Sequence, residues 1–140
     1  MITVQTIVRV PVEKAWEYWT KPEHIVHWNF ASADWESPSA ENDLRNGGRF
    51  KYKMAAKDGS VSFDFEGVYV SVNDKAAISY TMDDGRKVSV TFEPVDGGTR
   101  ITESFDPEQE NPEEMQRSGW QAILDNFKRY AEAPLPNIEI

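Results

Sequence analysis

Apolar and polar residues alternate from Ile2 to Val10, the period of a half-buried strand, and Pro11 closes the run. Val12, Ala15, Trp16 and Trp19 then recur at helical spacing. A second short helix is predicted from Thr20, because Thr20 and Glu23 have capping-box spacing and Pro22 falls in the first turn. His24 and His27 lie on that helix. Residues 29–46 show no clear period, which predicts a long irregular stretch with Trp35 in a lid.

From Arg49 onward the chain reads as hairpins whose turns set a register. Asp58-Gly59 is a two-residue type I′ signal. Centring the hairpin there pairs Tyr52 with Phe65 and Met54 with Phe63 on one face. Lys53 then meets Asp64, and Lys51 meets Glu66, on the other. A slip of one residue would invert both faces. Asp83-Asp84-Gly85 suits a three-residue loop pairing Tyr80 with Val88 and Ile78 with Val90. Asp96-Gly97 pairs Phe92 with Ile101 and Glu93 with Arg100, and Asn73-Asp74-Lys75 makes the remaining turn. The inward set changes from Phe63 and Phe65 to Val68, Val70 and Val72, so a β-bulge is predicted at Gly67.

The C-terminal segment is the strongest helix. Asn111 is the predicted N-cap, Pro112 the first position and Glu114 the third. Trp120, Ile123, Leu124, Phe127 and Ala131 form its apolar face, and Pro134 and Pro136 end it. Burying the large side chains of that face contributes roughly 1.5–3 kcal/mol each, so the helix must dock on the apolar face of the sheet.

The resulting order is one curved antiparallel sheet, a short helix pair between strands one and two, and a long C-terminal helix on the concave face. It resembles the α+β helix-grip, START-like (SRPBCC) fold. Within that fold the chain resembles the bacterial homologues of the activator of the heat-shock-protein-90 ATPase. The likeness rests on VPVEKAWEYWTKPEHIVHW, ENDLRNGGRFKYKM, FEGVY and MQRSGWQAILDNFKRY, in that order. It implies an apolar cavity between sheet and C-terminal helix, with the tryptophan of the short helix turned inward. Trp28 and Trp120 match cavity positions. Members include ligand binders, cyclases, hydrolases and a co-chaperone, so the fold alone does not choose among them.

Composition narrows the choice. A chain of 140 residues predicts a single domain spanning 1–140. The net charge of −9 argues against nucleic acid and anionic membranes as partners. With no cysteine, thiolate catalysis and cysteine-type zinc sites are excluded. Neither a signal-peptide core nor a membrane-spanning run is present, which predicts a cytoplasmic location. Gly47-Gly48 is not followed by a helix, so it reads as a tight turn into the next strand rather than a phosphate loop. The basic cluster Arg45, Arg49, Lys51, Lys53 and Lys57 reads as a solvated sheet face. The acidic run from Asp106 to Glu114 favours the N-terminus of the last helix.

His24 and His27 are three residues apart, and a metal site would need a third ligand such as Glu23; both are read as solvated or rim residues. Trp16, Trp19, Trp28 and Trp120 are candidates for an aromatic cage or for core packing, with Trp16 assigned to core. Glu103 is the exception to the pattern, sharing the predicted buried face with Ile101 and Phe105. A carboxylate there must be bonded, neutralised or set against a wet cavity. Its two readings are a structural bond near the sheet edge and a polar handle or general acid/base inside the cavity.

The pocket candidates are therefore Trp28, Phe50, Tyr52, Phe65, Tyr80, Val90, Glu103, Trp120 and Leu124, with no metal and no cofactor expected. Three functions from different classes follow. The first is binding of an apolar or amphipathic small molecule. The second is a cyclase or hydrolase activity using a cavity carboxylate. The third is a chaperone-ATPase-activating interaction domain. A cavity of several hundred cubic ångströms favours the first two, and a filled core with an exposed apolar patch favours the third.

Overall fold

The computed structural model describes residues 1–133. Its elements run β1 (Ile2–Val8), α1 (Val12–Thr20), α2 (Pro22–Ile25), β2 (Trp35–Asn42), β3 (Arg49–Ala56), β4 (Ser62–Asn73), β5 (Ala77–Met82), β6 (Lys87–Val95), β7 (Gly98–Phe105) and α3 (Glu113–Glu132). Antiparallel pairing orders the strands β1-β7-β6-β5-β4-β3-β2. Strands β2 to β7 are a meander built by successive turns. The α1–α2 segment carries the chain from one edge of the sheet to the other. With the long α3 on the curled sheet, this is the helix-grip arrangement.

The hairpin registers follow the turn chemistry. Tyr52 faces Phe65, Met54 faces Phe63, Lys53 faces Asp64 and Lys51 faces Glu66. Tyr80 faces Val88 and Ile78 faces Val90. Phe92 faces Ile101, and the Arg100 guanidinium donates to Glu93 across the pair at 2.9 Å. The β3–β4 turn itself differs from expectation. Ala56 N–H bonds Val61 O at 2.9 Å, so four residues form the loop. Gly59 has a φ of +81°, whereas Asp58 does not share the positive φ that a type I′ turn demands. Two- and four-residue loops with the same centre give the same register, so the pairing survives. The ion pairs run diagonally rather than straight across: Lys51 reaches Asp64 at 3.8 Å, and Arg49 reaches Glu66 at 3.6 Å and Asp83 at 2.9 Å.

Four local expectations are corrected. Residues 35–42 are not irregular but form the edge strand β2, so Trp35 belongs to a strand and meets Phe63 rather than a lid. Pro38 and a register shift between Glu36 and Ser39 break its alternation, which hid it. The phase change in β4 lies at Val70, not Gly67, since the register shifts between Tyr69 and Ser71. Gly67 stays in phase and supports the ring of Phe50. A Cβ there would lie 3.0 Å from that ring and 2.5 Å from the Thr81 carbonyl oxygen. Thr20 does not cap α2. It ends α1 and donates back to Trp16 O at 2.7 Å, leaving Lys21 at the N-cap and His27 in the turn beyond the helix. Finally, Pro112 rather than Asn111 is the N-cap of α3. The expected helix stops Pro134 and Pro136 lie outside the described residues.

The core lies between the concave sheet face and the helices. Val8, Ile25, Val88, Val90, Ile101, Phe105, Leu124 and Phe127 are fully or almost fully buried there. Leu124, Phe127 and Ala131 provide the buried stripe of α3, which packs mainly on β1. Three polar side chains of α3 also serve the free edge of that strand. Arg117 donates to Thr3 O at 2.8 Å, Gln121 to Gln5 O at 3.3 Å and Lys128 to Ile7 O at 2.6 Å. Their targets alternate with strand period, so the outward-pointing carbonyls of β1 are satisfied rather than left as a pairing template.

Candidate functional site: an aromatic cavity

Strand alternation brings Phe50, Tyr52, Phe65, Tyr69, Tyr80 and Glu103 to one concave surface. Because α3 packs mainly on β1, the sheet and helix part toward β3–β5 and a cavity of about 320 Å³ opens between them. Trp19 of α1 and Trp28 of the turn after α2 close it on one side, and Trp120 and Ile123 of α3 on the other. Phe63 lines it while remaining 52% exposed, and so marks its open side.

Of the predicted residues, Trp28, Phe50, Tyr52, Phe65, Tyr80, Glu103 and Trp120 line this space. Val90 and Leu124 do not. Both are completely buried in the joint between sheet and helix, where side chains fill the available volume. Trp16 is core, packed edge-on against Phe92 at 5.2 Å. Trp120 stacks on Phe105 with ring centroids 3.9 Å apart. Trp28 is fixed by its indole N–H to Tyr18 O at 2.9 Å, and Asn126 donates to its carbonyl at the same distance.

Sequence reasoning missed the polar members Asn29, Tyr69, Arg86, Glu108, Asn111 and Gln116 of the lining, and Asn42 behind Tyr69. The Tyr69 hydroxyl donates to Asn42 Oδ1 at 2.5 Å, and Asn42 Nδ2 donates to Thr20 O at 2.7 Å. Placing the phase change at Gly67 had turned Tyr69 outward. The alternation Phe63, Phe65, Gly67, Tyr69 carried the correct signal, since Gly67 leaves no gap in the period. Burial pushes the Tyr69 phenol up to about 12. It also raises those of Tyr52 and Tyr80 well above the ordinary value, helped for Tyr52 by the neighbouring phenols and for Tyr80 by Glu103 and then Tyr69.

Glu103 stands between Val4 of β1 and Val90 of β6, 7% exposed and facing the cavity. It is not at a sheet edge, and its carboxyl makes no hydrogen bond or ion pair with any described residue, which corrects the structural-bond reading. Desolvation pushes it up to about 8, so the neutral acid predominates at pH 7. Arg86 and Glu108 are the other charged groups lining the space, and Arg86 Nε is held by Asp84 at 2.8 Å.

The histidines lie elsewhere. His24 Nδ1 shares a 2.6 Å hydrogen bond with the Tyr130 hydroxyl, its Nε2 is 3.5 Å from Glu17, and His27 stacks on Tyr130. His24 thus ties α2 to α3 instead of standing free at a rim. Among the described residues, no three His, Cys, Asp or Glu side chains gather into a possible metal site. No helix there is long and apolar enough to cross a membrane.

Fold and site together define a helix-grip protein with an aromatic cavity beneath its C-terminal helix. Residues 9–132 match the family described as Activator of Hsp90 ATPase homolog 1-like protein, and the chain belongs to it. The solution structure of Chr148 from Cytophaga hutchinsonii is 54% identical, with 94% of this chain and 91% of that one covered and a TM-score of 0.82. An AHSA1-like protein from Aeromonas hydrophila is 45% identical over the same shares, with a TM-score of 0.89. CV1439 from Chromobacterium violaceum, 21% identical over 95% of this chain and 98% of that one, shares the fold with a TM-score of 0.84. No protein of curated function matches the chain.

Proposed function

We propose that this protein binds an apolar or amphipathic small molecule in the cavity between the sheet and α3. The observation that carries the reading is the aromatic cavity of about 320 Å³ with one buried carboxyl in its wall that no described residue pairs. Its size and lining suit a small flat ligand, with a few polar groups to orient it. A chaperone-activating role draws on the family name. The open cavity favours a small molecule over that role.

A second reading has its own support. A carboxylic acid that titrates near 8 is tuned for proton transfer at neutral pH, which favours an enzyme using Glu103 as general acid/base.

The test is a titration with N-phenylnaphthylamine, a neutral apolar fluorophore. Saturable one-to-one binding that quenches tryptophan emission, with amide shifts at Phe65, Tyr80 and Trp120 in NMR spectra, is the expected result. Binding absent, or shifts confined to the convex face, would sink the proposal.

A further inference from the structure

We propose that Tyr80 and Glu103 form a two-donor grip for the carbonyl oxygen of a neutral, flat, largely apolar ligand. The inference rests on the cavity being a binding site and names the chemistry of what enters it.

Two buried groups in one wall lack partners. Tyr80 is 8% exposed and Glu103 7%, and neither side chain makes a hydrogen bond with any described residue. Buried polar groups are rarely left so, and a native exception calls for a ligand or water. The Tyr69 hydroxyl, by contrast, is already committed to Asn42. Register places Ile78, Val90 and Glu103 in one row and Tyr80, Val88 and Phe105 in the next. Only the short valines of β6 separate the two groups. Strands β5 and β7 are about 10 Å apart, twice the ordinary spacing, so two long side chains can converge on one atom between them.

The protonation states define what that atom is. Burial keeps Glu103 as the acid and Tyr80 as the phenol, so both present O–H donors. A neutral acid beside a phenol is an established way to hold a carbonyl or enolate oxygen. An anionic ligand is disfavoured because Arg86, the one cation among the described lining residues, is held by Asp84. An ammonium would need Glu103 ionised, against its surroundings. The titratable or charged groups facing the cavity beside Glu103 are Tyr52, Tyr69 and Tyr80 from the sheet, with Arg86 and Glu108; α1, α2 and α3 present only uncharged groups. The phenols are held above their ordinary value, so Glu103 is the buried group that changes charge near pH 8.

The test uses prodan, a neutral naphthyl ketone whose emission shifts red when its carbonyl accepts a hydrogen bond. The controls are dimethylaminonaphthalene, which lacks the carbonyl, and a naphthylmethyl-trimethylammonium salt. Prodan should bind at least about 10-fold tighter than dimethylaminonaphthalene at pH 6.5, with red-shifted emission, and weaken as the pH rises through 8. Glu103→Gln, which keeps an N–H donor, should retain binding within about 3-fold and lose the pH dependence. Glu103→Leu should erase the carbonyl preference and the red shift, and Tyr80→Phe should reduce both. A wild type without carbonyl preference, a preference kept by Glu103→Leu, or tightest binding of the ammonium salt would overturn the grip while leaving the cavity as a binding site. Failure of all three probes to bind would overturn both.

Discussion

Glu103 is the residue at which local pattern and environment disagree most. It occupies an inward position on an otherwise apolar face, and among the described residues nothing pairs with it. Its folded-state pKa of about 8 lies above the unfolded value of about 4.3. The folded state therefore holds its proton more tightly, and this group's contribution to stability is fully present below about pH 4.3. It is lost as the pH climbs toward 8. A glutamine does not titrate, so Glu103→Gln should become progressively more stable than wild type from pH 5 to pH 9. The difference should reach on the order of 3–5 kcal/mol at the alkaline end. Urea unfolding at the two pH values measures it, and equal midpoint changes in both proteins would show that Glu103 is paired or solvated.

At the scale of elements, α3 does two things for the sheet. Its apolar stripe fills the joint, and its polar side chains cap the β1 edge. Phe127→Ala removes a ring that is wholly buried and packed edge-on against Trp19 and Trp28. It should cost about 3–5 kcal/mol in chemical denaturation. The combined Arg117→Ala, Gln121→Ala and Lys128→Ala variant should lose less, about 1–3 kcal/mol. It should also associate through the uncovered β1 edge, visible as a concentration-dependent rise in light scattering. A monomeric triple variant would mean that the edge needs no cover.

The hairpins show how much of these elements the sequence makes legible. Gly85 and Gly97 set their turns through local backbone geometry, so the facing pairs follow by counting. Edge strand β2 was not legible. Pro38 and its register shift disrupt the period, and its pairing with β3 is a contact between segments rather than a property of either.

On the scale of the molecule, the cavity exists because a helix seated mainly on β1 cannot also close over β3 and β4. Ile123 of α3 lines that space and is only partly buried. Ile123→Trp should therefore occupy the void at little cost, within about 1.5 kcal/mol, while abolishing N-phenylnaphthylamine binding. A stable variant that still binds the probe would place the site elsewhere. Seven of the nine residues predicted for the pocket reach it. Val90 and Leu124 share the correct faces but sit where helix and sheet touch, and a periodic pattern reports the face, not the distance to the opposite layer.

The sequence by itself determined the strand faces, most registers, the long helix and the inward placement of Glu103, because each depends on period two, period 3.6 or a turn residue acting over a few positions. Only the tertiary structure decided where the phase changes in β4, which inward residues meet a void and which meet the helix, and whether Glu103 has a partner. Those outcomes depend on distances between segments far apart in the chain. Tyr69 reaches Asn42 across 27 residues, and His24 reaches Tyr130 across 106. No local period encodes such a separation. The charge state of Glu103 follows from the same cause, since it is set by how completely the assembled sheet and helices remove the carboxyl from water.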